Sequence, residues 1–179
     1  GITFGASTGT GAFTIISTGV ALSVDAGGVT NNDTQTQTFS TNFTVRSAHT
    51  WNAASGGLTF NNVTLNNTLT FSGSNAIAIN GTLSNTASRT LTNNSTGSVA
   101  INNITQGGTL TFTGTGATSV TGTLNLTANR TLANNSTGGL TINNVSATYR
   151  RLTLTGTGTT TISGDVTTGS GGITMNNAR

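Results

Sequence analysis

Residues 58–98 read LTFNNVTLNNTLTFSGSNAIAINGTLSNTASRTLTNNSTGS, and residues 99–139 read VAINNITQGGTLTFTGTGATSVTGTLNLTANRTLANNSTGG. The two stretches have the same length and carry the same motifs in the same order. A third copy begins at Leu140 with LTINNVSATYRRLTLTGTGTTTISGDV. Self-similarity at a fixed period is typical of stacked units rather than of a globule with one centre. We therefore expect a repeat protein whose shape and surface carry its function.

Each unit divides into two coils of about 20 residues, a length typical of solenoid repeats, because an apolar leucine recurs in each half. Ten positions after each leucine comes a β-branched apolar residue, and a third apolar residue follows three or four positions later. The predicted core-stacking residues are Leu69, Leu91, Leu110, Leu132 and Leu152, together with Ile79, Ile101, Val120, Ile142 and Ile162. The third set is Leu83, Ile104, Leu124, Val145 and Val166.

Local alternation predicts that each coil is built from short strands. Residues 68–71, 76–79 and 109–112 alternate small or polar side chains with large apolar ones, which is a strand pattern. No window shows helical spacing, and Thr, Asn and Gly are poor helix formers. Gly and Asn recur between the alternating segments, where tight corners require positive φ.

These features predict an all-β fold, a parallel β-solenoid of eight or nine coils. Coils stacked at about 4.8 Å form a rod roughly 40 Å long. We expect the inward residues to pile up in single file, with leucine over leucine and isoleucine over isoleucine. The chain contains no Pro, which suits strands whose N–H groups must all reach a neighbouring coil.

We assign residues 1–179 to a single solenoid segment, with irregular coils over 1–49 and the regular double repeat over 50–179. The chain begins with Gly rather than Met, and it ends at residues 173–177 in what resembles the opening of another unit. We therefore expect it to be a segment of a longer or processed protein.

Asn pairs recur in every unit, with Asn93-Asn94 and Asn134-Asn135 one half-repeat away from the pairs predicted at the corners. The predicted corner or ladder residues are Asn61, Asn62, Asn102, Asn103, Asn143, Asn144, Asn176 and Asn177. Side-chain amides at corners satisfy backbone groups, and stacked amides can bond to one another along the axis. Glycan binding or glycosylation at N-x-S/T sites is the alternative.

Composition limits the partners of this chain. Only 5% of its residues are charged, and the net charge of +3 is a weak field for 179 residues. Nucleic-acid binding needs clustered Lys or Arg, and only Arg150 and Arg151 are adjacent in the sequence. Arg89 and Arg130 occupy the same position of two units, and we expect them to form at most a sparse row that faces solvent. There is no Cys for disulfides and no apolar run long enough for a membrane helix.

The titratable residues do not predict an active site. A glycosidase or lyase needs paired carboxylates, and the only acids are Asp25, Asp33 and Asp165. Asp25 and Asp33 could approach one another one coil apart, but their neighbours indicate turns. His49 is the only histidine, and a lone imidazole supports neither a triad nor a metal site. We expect no catalytic residues, no metal and no cofactor.

Residues 89–97 (RTLTNNSTG) and 152–164 (LTLTGTGTTTISG) resemble autotransporter-associated β-strand repeats, which occur in very large secreted bacterial surface proteins. The resemblance covers residues 50–179. The usual G-G-L-x-K-x-G start is only partly present, at 171–173, and lacks its Lys. The resemblance implies a right-handed β-helix displayed outside the cell, with no catalytic residues.

We expect an extracellular, cell-surface structural protein that forms a fibre, stalk or filament by head-to-tail stacking with itself or with further coils. An adhesin or binding passenger module, with a glycan or surface as partner, is the alternative. Ice binding through Thr-x-Thr pairs and a polysaccharide-degrading β-helix are weaker alternatives. Neither nucleic acid nor membrane insertion is expected.

Overall fold

The computed structural model describes residues 1–6 and 11–176, and every regular element in that part of the chain is a β-strand. Nine strands form a first sheet in which each pairs in parallel with the next. In spatial order they are β1 (Ile2–Phe4), β4 (Val29–Asn31), β7 (His49–Ala53), β10 (Leu69–Gly73), β12 (Arg89–Asn93), β14 (Leu110–Gly114), β16 (Arg130–Asn134), β18 (Leu152–Thr155) and β21 (Ile173–Asn176).

A second sheet of twelve strands is also parallel. Its strands are β2 (Thr14–Ile15), β3 (Leu22–Val24), β5 (Gln37–Phe39), β6 (Phe43–Val45), β8 (Leu58–Phe60), β9 (Val63–Leu65), β11 (Ile77–Asn85), β13 (Val99–Gln106), β15 (Thr118–Leu126), β17 (Leu140–Ser146), β19 (Thr160–Ile162) and β20 (Val166–Thr167). The long strands β11, β13, β15 and β17 bend midway, and their two halves continue the separate short strands found near each end.

The chain therefore winds as a parallel β-solenoid, as predicted. Each turn passes once through the first sheet and then through both halves of the second, so nine strands of the first sheet define about eight turns. Ladder partners in the first sheet recur at a nearly constant interval, as in the succession Val29, Trp51, Phe71 and Asn93. Among residues 1–6 and 11–176 no helix is present that could span a membrane.

The isoleucine column stacks in single file through the second sheet. Ile79 lies opposite Ile101, Ile101 opposite Val120, and the same register continues to Ile142 and Ile162. All are buried except Ile162, which packs partly exposed near the end. The third set forms a second column, in which the ladder partners run Leu83, Ile104, Leu124, Val145 and Val166. The predicted stacking is therefore confirmed for the second sheet.

The leucine column is not in single file, and that expectation was wrong. Leu69 lies opposite Leu91, and Leu110 opposite Leu132, but Leu91 lies opposite Phe112 rather than Leu110. Leu132 likewise lies opposite Leu154, and Leu152 lies opposite Arg130. In each case the expected leucine falls two positions before the actual ladder partner. A two-residue offset keeps every inward side chain inward, because side chains alternate with period two.

The doubled repeat period has a structural cause at the bend of the second sheet. Asn80, Gly81 and Thr82 separate the inward Ile79 and Leu83, but only Asn102 and Asn103 separate the equivalent residues one coil later. The register shifts by one residue at this bend between β11 and β13 and again between β13 and β15. Successive coils therefore differ, and only every second coil is equivalent.

Aromatic rings fill the core of the N-terminal coils. Trp51 stacks on Phe60 with ring centroids 3.6 Å apart, and Phe60 stacks on Phe39 at 4.7 Å. Phe43 meets Trp51 edge-on at 5.3 Å, and all four rings are fully buried. Strands of residues 1–49 thus extend the same two sheets around a bulkier interior.

We predict that Ile101→Ala lowers the free energy of unfolding by about 2–5 kcal/mol, because it leaves a cavity in a fully buried column. Denaturant unfolding followed by circular dichroism measures the change. Ala100→Ser, one position away on the outward face of β13, is the control and should change stability by less than about 0.5 kcal/mol. Equal effects of the two substitutions would contradict the inward assignment.

Candidate functional site

Asn pairs occupy the bend between the two halves of the second sheet, and their side chains bond the backbone of adjacent coils. The second Asn of a pair accepts from an N–H of the following coil: Asn62 from Thr82 and Asn103 from Thr123, both at 2.9 Å. Asn144 accepts from Asp165 in the same way at 2.8 Å.

The first Asn of a pair bonds in the opposite direction. Asn102 donates to the carbonyl of Asn80 at 2.9 Å, and Asn143 donates to that of Thr121 at 3.1 Å. Asn61 lies exposed at the same bend. These residues are therefore corner residues that join coils through the backbone.

Direct bonding between amides occurs at this bend where Asn62 donates to Asn42 at 3.1 Å. Asn176 does not belong to the bend, contrary to the sequence prediction. It ends β21 in the first sheet, opposite Thr155, and is exposed. An alternating I-T-M-N segment suits either sheet, so the motif alone did not distinguish them. Asn177 lies outside the described residues.

Three buried Asn side chains line a different corner, where the first sheet leads into the second: Asn31, Asn93 and Asn134. Asn93 Nδ2 donates to the carbonyl of Ala117 in the next coil at 2.7 Å, and its Oδ1 accepts from the N–H of Ser95 at 2.9 Å. Asn134 repeats this arrangement with the carbonyl of Thr159 at 2.7 Å and the N–H of Ser136 at 3.0 Å.

Asn93 and Asn134 are each the first member of an Asn pair, and the sequence pattern does not predict that this member is buried. Period two alone could not distinguish them, because Asn103 also follows an inward residue, Ile101, by two positions and bonds outward at the bend. Asn93 and Asn134 follow inward leucines by two positions and do stay on the inward face. The amide therefore replaces an apolar side chain in the column, where Asn93 lies opposite Phe71.

His49 and Trp51 are the polar aromatic side chains of the core. His49 is only 6% exposed, and neither of its ring nitrogens has a hydrogen-bond partner among the described residues. Burial lowers the pKa of His49, against the opposing effect of the nearby backbone of Asp25 and Val24. The imidazole therefore packs as a neutral ring beneath a shallow cleft formed by Gly27, Ala48, Thr50, Thr68 and their neighbours.

The three acids lie at three different corners. Asp25 lies between β3 and β4, Asp33 lies between β4 and β5, and Asp165 lies between β19 and β20. Asp25 and Asp33 thus lie at opposite ends of β4, so the two carboxylates are not close together as the sequence had allowed. Within the described part of the chain, no three His, Cys, Asp or Glu residues are grouped as metal ligands would be.

Hydroxyl side chains cover the outer faces of both sheets. On the first sheet Thr50, Thr70, Thr92 and Thr113 are successive ladder partners. Thr92 and Thr113 bond through their hydroxyls at 2.9 Å. The neighbouring row of Thr90 and Thr111 is interrupted where Thr111 lies opposite Ala133, so the outward threonines do not form one continuous array.

We predict that Asn93→Ala destabilises the protein by about 1–3 kcal/mol, because it leaves the Ala117 carbonyl and the Ser95 N–H without their bonds. Thermal and denaturant unfolding measure the loss. Asn94→Ala, at the adjacent exposed position, is the matched control and should stay within about 0.5 kcal/mol of the parent. If the two variants unfold alike, the buried amide is not the stabilising group.

We also predict that stability falls with acidification through pH 6.5. Folding lowers the pKa of His49, so the unfolded chain binds a proton at a higher pH than the folded chain does. Acidification therefore favours the unfolded state and lowers the free energy of unfolding. The slope is at most about 1.4 kcal/mol per pH unit for one proton, and it vanishes above pH ~7.5. Unfolding measured between pH 7.5 and 5.5 should show this slope in the parent and not in His49→Leu. A slope that survives the substitution would assign it to other groups.

Comparison with known proteins finds no relative of this chain. The chain matches no protein-family model, no curated protein and no solved structure at a significant level.

Proposed function

We propose that this chain is a structural segment of an extracellular fibre or surface stalk, extended end to end by further coils of its own kind. The observation that carries the proposal is where the large exposed apolar side chains lie. Five of the six in the described residues belong to the first and last coils: Phe13, Ile16, Val20, Val166 and Met175. Tyr149, in the loop before β18, is the sixth.

The terminal coils continue the buried columns rather than closing them. Val166 is 44% exposed and is the ladder partner of buried Val145, while Met175 is 67% exposed and is the ladder partner of buried Leu154. A further coil laid on β19, β20 and β21 would bury both side chains and pair the free strand edges. Such a coil can come from the same polypeptide or from a second copy.

The rest of the molecule suits a passive rod. The interior is packed with apolar columns, and the corners are hydrogen-bonded between coils. Open depressions on its surface are lined mainly by Thr, Ser, Ala, Gly and Asn, together with Phe39 and Phe60 at one of them. Each internal strand is hydrogen-bonded to both of its neighbours, so further coils can be added only at the ends.

We predict that Met175→Lys shortens or abolishes assemblies of this chain, because it places a charge on the free edge of the last coil. Multi-angle light scattering and negative-stain electron microscopy at several protein concentrations measure assembly length. Thr121→Lys is the matched control, since Thr121 is exposed on β15, an internal strand paired with a neighbouring coil on each side. Its assemblies should keep the parent's length.

A parent protein that remains a compact monomer at all concentrations would reject stacking between copies. Extension within one polypeptide is tested separately by fusing a second copy of residues 91–176 directly after residue 176, which keeps the phase because Asn176 lies in the same ladder column as Thr90. A longer rod of unchanged width supports it, and a bent or aggregated product contradicts it.

A further inference from the structure

All five arginines in the described part of the chain lie at one corner of the solenoid. This corner joins the second half of the second sheet to the start of the first sheet. Its members, called here the arginine row, are Arg46, Arg89, Arg130, Arg150 and Arg151. The sequence suggested only a sparse pair, because the coils bring together arginines that are far apart in the chain.

The row is regularly spaced along the axis. Arg46 precedes β7, Arg89 begins β12 and Arg130 begins β16, so the three lie on alternate coils. At about 4.8 Å per coil, neighbouring arginines of this set are roughly 10 Å apart. Arg151 lies one coil beyond Arg130, and the backbone N–H of Arg130 donates to the carbonyl of Arg151 at 2.9 Å. The whole row covers roughly 24 Å along the axis.

The half-buried arginines are held by the fold. Arg89 and Arg130 are ladder partners of the inward residues Leu110 and Leu152, so their stems start at the edge of the core. The Nε atom of each is buried and has no hydrogen-bond partner within residues 1–6 and 11–176. Their Nη1 atoms donate to backbone carbonyls, Arg89 to Ser88 at 2.8 Å and Arg130 to Asn129 at 3.3 Å. Each guanidinium is thus positioned but keeps free donors.

Among the described residues, the positive charge of the row has an acid beside it only at Arg46, because Asp25 and Arg46 directly follow the ladder partners Val24 and Val45. Arg150 Nη1 also donates to a carbonyl, that of Leu126 at 2.9 Å, so all the side-chain bonds of these arginines go to backbone oxygens. Of the three acids, only Asp25 lies at this corner, on the first coil, while Asp33 and Asp165 lie at other corners.

We propose that the arginine row binds a linear anionic polysaccharide lying parallel to the solenoid axis. A guanidinium binds carboxylate or sulfate through paired N–H donors, and the Thr, Ser and Asn side chains beside the row offer partners for sugar hydroxyls. This surface lies on the side of the rod, so the proposal does not depend on end-to-end extension.

The geometry favours a glycan over a nucleic acid. Each strand of duplex DNA carries a phosphate about every 3.4 Å along the axis, so arginines roughly 10 Å apart would leave most of its charge uncontacted. Binding of single strands also uses aromatic side chains on which bases stack, and Tyr149 is the only aromatic residue at this corner within the described residues.

Affinity measurements with four immobilised polymers test the proposal: polygalacturonate for carboxylated glycans, dextran sulfate for sulfated ones, neutral dextran, and oligo-dT single-stranded DNA. We expect binding to one or both acidic glycans, weakening as salt rises from about 50 to about 200 mM, and none to neutral dextran. The two acidic polymers distinguish a carboxylate from a sulfate ligand.

The variant Arg46→Gln/Arg89→Gln/Arg130→Gln removes the evenly spaced part of the row and should weaken glycan binding about tenfold or more. The control Asn61→Asp/Asn80→Asp/Thr121→Asp makes the same change in net charge at exposed positions of a different corner, and should stay within about twofold of the parent. Circular dichroism and melting confirm that both variants fold.

Three results would overturn the proposal. They are tighter binding to DNA than to either acidic glycan, equal losses in the row variant and the control, and no binding of the parent to any anionic polymer at the lowest salt concentration. If the row variant does not fold, Arg46→Gln/Arg151→Gln replaces it, because both side chains are exposed.

Discussion

The parallel hydrogen-bond ladder between coils is the constraint on which the rest of this structure depends. Strand N–H and C=O groups bond to the coil before and the coil after, never to a neighbour in sequence, as in the pairing of β13 with both β11 and β15. The chain must therefore return to the same phase after every turn, whatever lies between. Inward columns, corner amides and the absence of Pro all follow from that requirement.

Polar groups inside and beside the core show how a chain with so few charges keeps its corners ordered. At one corner Asn93 and Asn134 turn inward and bond a carbonyl of the next coil, replacing an apolar side chain with several hydrogen bonds. At the bend of the second sheet, Asn103 and Asn143 bond outward between coils. The same residue type thus serves two geometries, one at the end of a first-sheet strand and one at the bend of the second sheet.

The rod also separates its surfaces by direction. Apolar side chains are exposed at its ends, hydroxyl side chains cover its faces, and arginines gather along a single corner. End-to-end extension and attachment along the side would therefore use different residues. A fibre built in this way could lengthen without covering the arginine row, since each added coil occupies only the edge of the previous one.

Local pattern was sufficient to predict the strands, the parallel solenoid and the inward identity of residues such as Ile101 and Leu124. Period-two alternation within each strand and recurrence between coils are both visible in one dimension. The same pattern could not predict that Leu91 pairs with Phe112, because alternation is unchanged by a shift of two positions. Tertiary structure alone decided that pairing, the sheet to which Asn176 belongs and the corner shared by the arginines. Those features depend on turn lengths and corner geometry summed over a whole coil, which a short motif does not encode.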